Sequence, residues 1–139
     1  MKKATDTHKP NARDRAELQA ATQLDSIEEM VQALNAAGDD DEAREQAEQT
    51  IREDALSVEV RCGWHVPGAN DGEQAAEYQI LLCTGGPAAR IIGALTDHGE
   101  PDTARIEYQD WGTPWTEYRM SSADEEIVKR YAGQFFFAE

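Results

Sequence analysis

From Arg13 onward the apolar positions Ala20, Leu24, Ile27, Val31 and Leu34 recur in alternating steps of four and three, which lays one apolar stripe along a helix. Asn35 and Gly38 supply the stop. The run Asp39, Asp40, Asp41 then places carboxylates where the dipole of a second helix favours them, and Ala43, Ala47 and Ile51 give that helix a narrow stripe of its own. At Leu56 the period changes to two. Leu56, Val58, Val60, Cys62, Trp64 and Val66 share one face of a strand, with Ser57, Glu59, Arg61 and His65 on the other. After the loop "PGANDGEQAA" come three further strand segments, "EYQILLC", "ARIIGAL" and "ARIEYQDW", separated by the turn sequences "TGGP" and "TDHGEPDT". Connections this short favour antiparallel neighbours. Ser122 with Glu125 matches a capping box that opens a last helix, with Ile127, Val128, Tyr131 and Phe135 facing inward, and the terminal "QFFFAE" is apolar enough to pack on the sheet.

The expected architecture is therefore an α+β domain: an N-terminal helical pair, a four-stranded antiparallel meander and a C-terminal helix packed on the sheet. Residues 1–12 are polar and read as a disordered tail. Residues 13–139 form one domain, divided into acidic helices over 13–55 and a sheet plus C-terminal helix over 56–139.

One segment does not fit a regular element. "YQDWGTPWTEY", residues 108–118, crowds Trp111, Trp115 and Tyr118 around Gly112 and Pro114. Continuing the inward alternation of Ala104, Ile106 and Tyr108 would put Asp110 inside, so a bend between Asp110 and Gly112 is expected, with the segment folding back over the sheet. Two roles stay open for its aromatic side chains. They cover a core, or they anchor a partner, since Trp and Tyr dominate interface energies.

Charge narrows the function. With 28 Asp and Glu against 13 Lys and Arg the chain carries a formal charge of −15 over 139 residues. Free nucleic acid and anionic membranes would repel it, so no direct nucleic-acid or membrane binding is expected and the charged partners to expect are basic. The length suits a single domain with its own core. Two cysteines are too few for a secreted disulfide framework, and "MKKATDTHKP" has no apolar run behind it, which together point to a cytoplasmic protein with reduced thiols.

Candidate reaction centres are weak. Cys62, His65, Cys83 and His98 resemble a zinc ligand set only by type. On a regular strand Cys62 and His65 project to opposite faces, so the two cysteines are read as small buried core residues, and no metal and no cofactor are expected. "TGGPAAR" has the paired glycines of a phosphate loop, yet Pro87 and a strand follow where a helix N-terminus is required, which makes a hairpin turn the better assignment. Arg90 is left as an anion contact or a surface ion pair. No nucleophile elbow or protease signature occurs, and catalytic residues are assigned to none. An enzyme built on the Cys62, His65 and Cys83 region is kept as an alternative, as is a homodimer that buries the stripe of the first helix.

The acidic helices offer two readings, a solvated face or a nucleic-acid mimic. A helix bearing a carboxylate every third or fourth residue presents about one charge per 5 Å. Duplex DNA presents about one per 1.7 Å, so two adjacent helices narrow the gap without closing it. The phrases "EDALSVEVRCGWHVPG", "EYQILLCTGGPAARIIGAL", "ARIEYQDWGTPWTEY" and "QFFFAE" resemble a family of small uncharacterised proteins encoded on phages and integrative mobile elements of bacteria. That resemblance implies a genomic setting and carries over no catalytic or binding residue. Joined to the charge, it leads to the expectation of an acidic, non-enzymatic binding factor that blocks a basic nuclease or CRISPR effector, of anti-restriction or anti-CRISPR type. The expected partner-binding residues are Asp39, Asp40, Asp41, Glu42, Glu45 and Glu48 for steering, with Trp111, Trp115 and Tyr118 as anchors.

Overall fold

A computed structural model describes residues 12–64, 66–68, 75–110, 112–135 and 137. Residues 1–11 of the expected tail, His65 and Trp111 lie outside the described residues. The elements follow in the order α1 (Ala12–Ala37), α2 (Asp41–Asp54), β1 (Ser57–Cys62), β2 (Ala75–Cys83), β3 (Ala88–Ala94), β4 (Arg105–Gln109), β5 (Thr116–Tyr118) and α3 (Ser122–Ala132). The strands lie side by side in chain order, every neighbouring pair antiparallel. The α+β class, the helical pair and the meander are as expected. No helix among the described residues is long and apolar enough to cross a membrane.

One face of the sheet carries the core. Tyr78, Ile80 and Leu82 of β2, Ala89 and Ile91 of β3, and Ala104, Ile106 and Tyr108 along β4 are buried in strict alternation. The stripe of α1, from Ala16 and Ala20 to Leu24, Ile27, Val31 and Leu34, closes over them, joined by Ile51 of α2 and by Val128, Tyr131 and Ala132 of α3. Phe137 stacks at 4.9 Å on Tyr78. Each fully buried Ile or Val contributes about 1.5–3 kcal/mol, whereas an exposed ion pair contributes about 0–1 kcal/mol. The helix-covered face therefore holds the fold together. Because the stripe of α1 is spent inside its own domain, it offers no surface for the coiled homodimer considered above.

Four expectations need correction. The sheet has five strands rather than four, because the aromatic segment supplies β5. Thr113 N–H and Thr113 Oγ1–H both donate to the Asp110 carbonyl, at 3.0 and 2.9 Å, and Gly112 takes a φ of 75° that a side chain would strain, so the chain reverses and Thr116–Tyr118 return along β4. Asp110 is inside after all, 4% exposed, with the Arg15 guanidinium of α1 reaching its Oδ2 at 3.6 Å. A cation from another element is what lets the alternation continue through an aspartate. The capping box of α3 is built one residue earlier than read: Ser121 Oγ accepts from Asp124 N–H at 3.1 Å and Asp124 Oδ2 from Ser121 N–H at 3.4 Å. Finally, α3 leans on α1 more than on the strands, although the Ala104 N–H donates to Glu125 of α3 at 3.4 Å.

Candidate functional site

The acidic surface is built by α2. Asp40 is its N-cap, its side chain accepting from Ala43 N–H at 3.1 Å, which assigns that carboxylate a structural task. Asp39, Asp41, Glu42 and Glu45 are exposed, and Glu48 is half-buried with Arg52 at 3.9 Å. Asp41, Glu42 and Glu45 line one side of a shallow depression of about 370 Å³ with Gln46 and Gln49. The two arginines of α2 are both engaged within the helix and its approach. Arg44 donates to the Gly38 carbonyl and Arg52 faces Glu48. Neither is directed by those contacts at Asp41, Glu42 or Glu45, so these present their charge outward.

The opposite side of the sheet has a different character. Side chains that alternate with the core project onto a face that no helix among the described residues covers, and their cross-strand register (Glu59↔Gln79, Arg61↔Glu77, Arg90↔Glu107) makes them partners. Gln79 donates to Glu59 at 2.9 Å and accepts from Arg90 at 2.5 Å. Arg90 closes on Glu107 through two nitrogens, at 2.9 and 2.6 Å, and Arg105 reaches the other oxygen of Glu107 at 2.9 Å. Arg61 pairs with Glu77. Burial works against the charge on Glu107, but the hydrogen bonds and positive charge of Arg105 and Arg90 outweigh it and hold the carboxyl below its ordinary 4.5. The Arg90 guanidinium also lies 4.1 Å over the ring of Trp115.

Glu59, Arg61, Glu77, Gln79, Arg90 and Arg105, with Ile92, line a hollow of about 510 Å³. Of the three arginines there, Arg61 is paired with Glu77, and Arg90 and Arg105 with Glu107, so an anionic ligand would have to displace a carboxylate already bonded. The arrangement is a neutral polar ladder, and Arg90 is an ion-paired residue of that ladder.

The residues expected to act as one site are thus divided. Trp115 is half-buried on the ladder side of the sheet, against Arg90. Tyr118 sits opposite Ile106 and packs on the core, on the side where the helices lie. The carboxylates of α2 are on the helical side, next to α1. For the metal alternative, Cys62 pairs across from Ala75 whereas Cys83 ends β2 eight residues on, about 26 Å away by strand rise. Cys62 is exposed rather than buried, because β1 is an edge strand. Cys83 is half-buried, and burial raises its thiol above the ordinary 9.0 despite hydrogen bonds to the Ala89 backbone and to Gln19 and Gln23 of α1. No group of three metal-ligating side chains occurs among the described residues.

Sequence reasoning missed the ladder of Glu59, Gln79, Arg90, Glu107 and Arg105. Its members were visible as the polar half of each alternating strand, but only the register between strands turns them into partners. Comparisons of the chain with protein families, with curated proteins and with solved structures find no match.

Proposed function

We propose that the protein is an acidic, non-enzymatic binding factor, encoded on a mobile element, that docks the carboxylates of α2 on the basic surface of a nucleic-acid-binding protein and obstructs that surface. The observation that supports it is the exposed set of Asp41, Glu42 and Glu45 on α2, a helix whose own arginines are turned to Gly38 and Glu48, with Asp39 just before it. Asp25 and Glu29 of α1 are exposed as well and add to the same negative field. Carboxylates spaced more widely than phosphates steer a basic partner and set its orientation more than they fix its affinity.

An apolar anchor completes such an interface. Trp115 is half-buried by Arg90, on the other side of the sheet, and therefore belongs to a separate surface. The anchoring role passes to apolar residues beside α2, of which Met30 and Ala33 line a groove of about 210 Å³ with Ala47 and Thr50.

The test is competition. The protein, immobilised, is expected to retain nucleic-acid-binding proteins from a bacterial host extract and to release them to duplex DNA. A variant carrying Asp41→Lys, Glu42→Lys, Glu45→Lys and Glu48→Lys is expected to retain none of them. Retention that duplex DNA does not reverse, or that the four substitutions leave intact, removes the proposal.

A further inference from the structure

Among the described residues, four of the five large apolar side chains left exposed fall between positions 56 and 66: Leu56, Val58, Trp64 and Val66. Single exposed apolar residues are ordinary, but several gathered in one short segment mark a contact surface, and here Val58 lies in β1 with Leu56 just before it and Trp64 and Val66 just after it. That strand, β1, pairs only with β2 among the described strands and ends the sheet on its side. The edge of a sheet presents backbone N–H and C=O groups that can template another strand. Isolated chains usually blunt such an edge with unopposed charge or with proline. Here the strand is "SVEVRC", with one carboxylate and one guanidinium and no proline.

We infer that β1 is a dimerisation edge, on which a second copy of this chain seats its own β1 antiparallel so that the two sheets become one. A two-fold axis normal to the sheet keeps the helical side of one copy level with that of the other, and it centres the pairing on a single residue. Centred on Val60, the register sets Glu59 of each copy opposite Arg61 of the other, on the helix-free face. On the helical face Val60 meets Val60 and Val58 meets Cys62, and beyond the strand ends Leu56 comes opposite Trp64. Centred on Glu59 or on Arg61, the strand opposes like charges at its middle. The sequence of β1 is thus complementary to itself in one register.

Charge selects a second copy over the basic partner of α2. Glu59 and Arg61 sum to zero within a chain of −15, so the edge gives a cationic surface nothing to neutralise. Arg61 is free to turn between partners, since its contact with Glu77 is made by side chains that are 73% and 44% exposed. The remaining charge of the two copies repels at longer range, and salt screens it. Dimerisation is expected to hold or strengthen as salt rises, whereas docking on α2 weakens. The two proposals therefore stand or fall separately.

Sedimentation of the full chain at about 50 µM is expected to show a dimer that dilution dissociates. Arg61→Glu faces Glu59 with a second carboxylate and is expected to raise the dissociation constant at least about tenfold, and adding Glu59→Arg to it is expected to restore the dimer. Circular dichroism shows whether each variant is folded. A second readout needs no loss of folding. Val58→Cys places a thiol opposite Cys62 of the other copy, while within one chain the two lie about 13 Å apart, too far for a disulfide. Mild oxidation of V58C is expected to yield a covalent dimer, and oxidation of S57C, which faces Gly63 in this register, is not. A monomer at every concentration and salt, a dimer indifferent to Arg61→Glu, or V58C that links no faster than S57C would overturn the inference.

Discussion

Tyr78 and Tyr131 show how single side chains tie this fold to pH. Both are fully buried. The Tyr78 hydroxyl donates to the Thr103 carbonyl at 2.7 Å and that of Tyr131 donates to Asp54 Oδ2 at 2.7 Å. Burial raises both phenols above their ordinary 10.0, helped at Tyr78 by the charge of Glu125 and at Tyr131 by the bond to, and charge of, Asp54. A folded-state value raised above the unfolded one gives stability that is complete below pH 10 and is lost as pH climbs beyond it, because only the unfolded chain releases those protons readily. Of the four tyrosines, these two are expected to ionise only as the protein unfolds, measured by near-ultraviolet absorbance alongside circular dichroism. Reversible ionisation of Tyr78 or Tyr131 near pH 10 in folded protein would refute this. Tyr131→Phe is expected to cost about 1.5–3 kcal/mol, the range for a hydrogen bond to a charged group.

At the scale of elements, β3 and the connection that follows it are packed without spare room. A Cβ on Gly93 would stand 2.1 Å from the Thr103 carbonyl oxygen and 3.0 Å from the Tyr78 ring. Backbone cannot yield as a side-chain tip does, so Gly93→Ala is expected to destabilise by about 3 kcal/mol or more, read from denaturant unfolding. A loss below about 1 kcal/mol would show that the connection is looser than this packing implies. Most elements were legible because their apolar positions repeat: the stripe of α1 and the alternation of β2, β3 and β4 are properties of local sequence. The turn at "TGGP" was legible too, since Gly85 and Gly86 take φ of 101° and 135°. What stayed hidden depends on neighbours. β5 is three residues long and has no period to read. β1 alternates as cleanly as a core strand, yet only the sheet order reveals that Leu56, Val58 and Trp64 are left exposed beside an edge strand. Asp110 looked impossible inside until Arg15 arrived from a helix almost a hundred residues earlier. Of the carboxylates at and before α2, Asp39, Asp40, Asp41, Glu42 and Glu45 are exposed and Glu48 is half-buried, and the capping role of Asp40 is one that a local signature could have given.

The whole molecule separates its surfaces by charge. The helical side concentrates the carboxylates of α1 and α2, the helix-free face of the sheet neutralises itself through the Arg90 and Glu107 ladder, and β1 is balanced and apolar. A net charge of −15 is therefore directional, and it gives the molecule one side that attracts cationic surfaces. Contacts between exposed charges weaken as the screening length shrinks from about 10 Å at 0.1 M salt to about 3 Å at 1 M. The decisive measurement is the affinity of a retained host protein across that range. A fall of about tenfold or more, abolished together with binding in the α2 lysine variant, is the expected result. An affinity that salt does not change would contradict the claim that the carboxylates of α2 carry recognition.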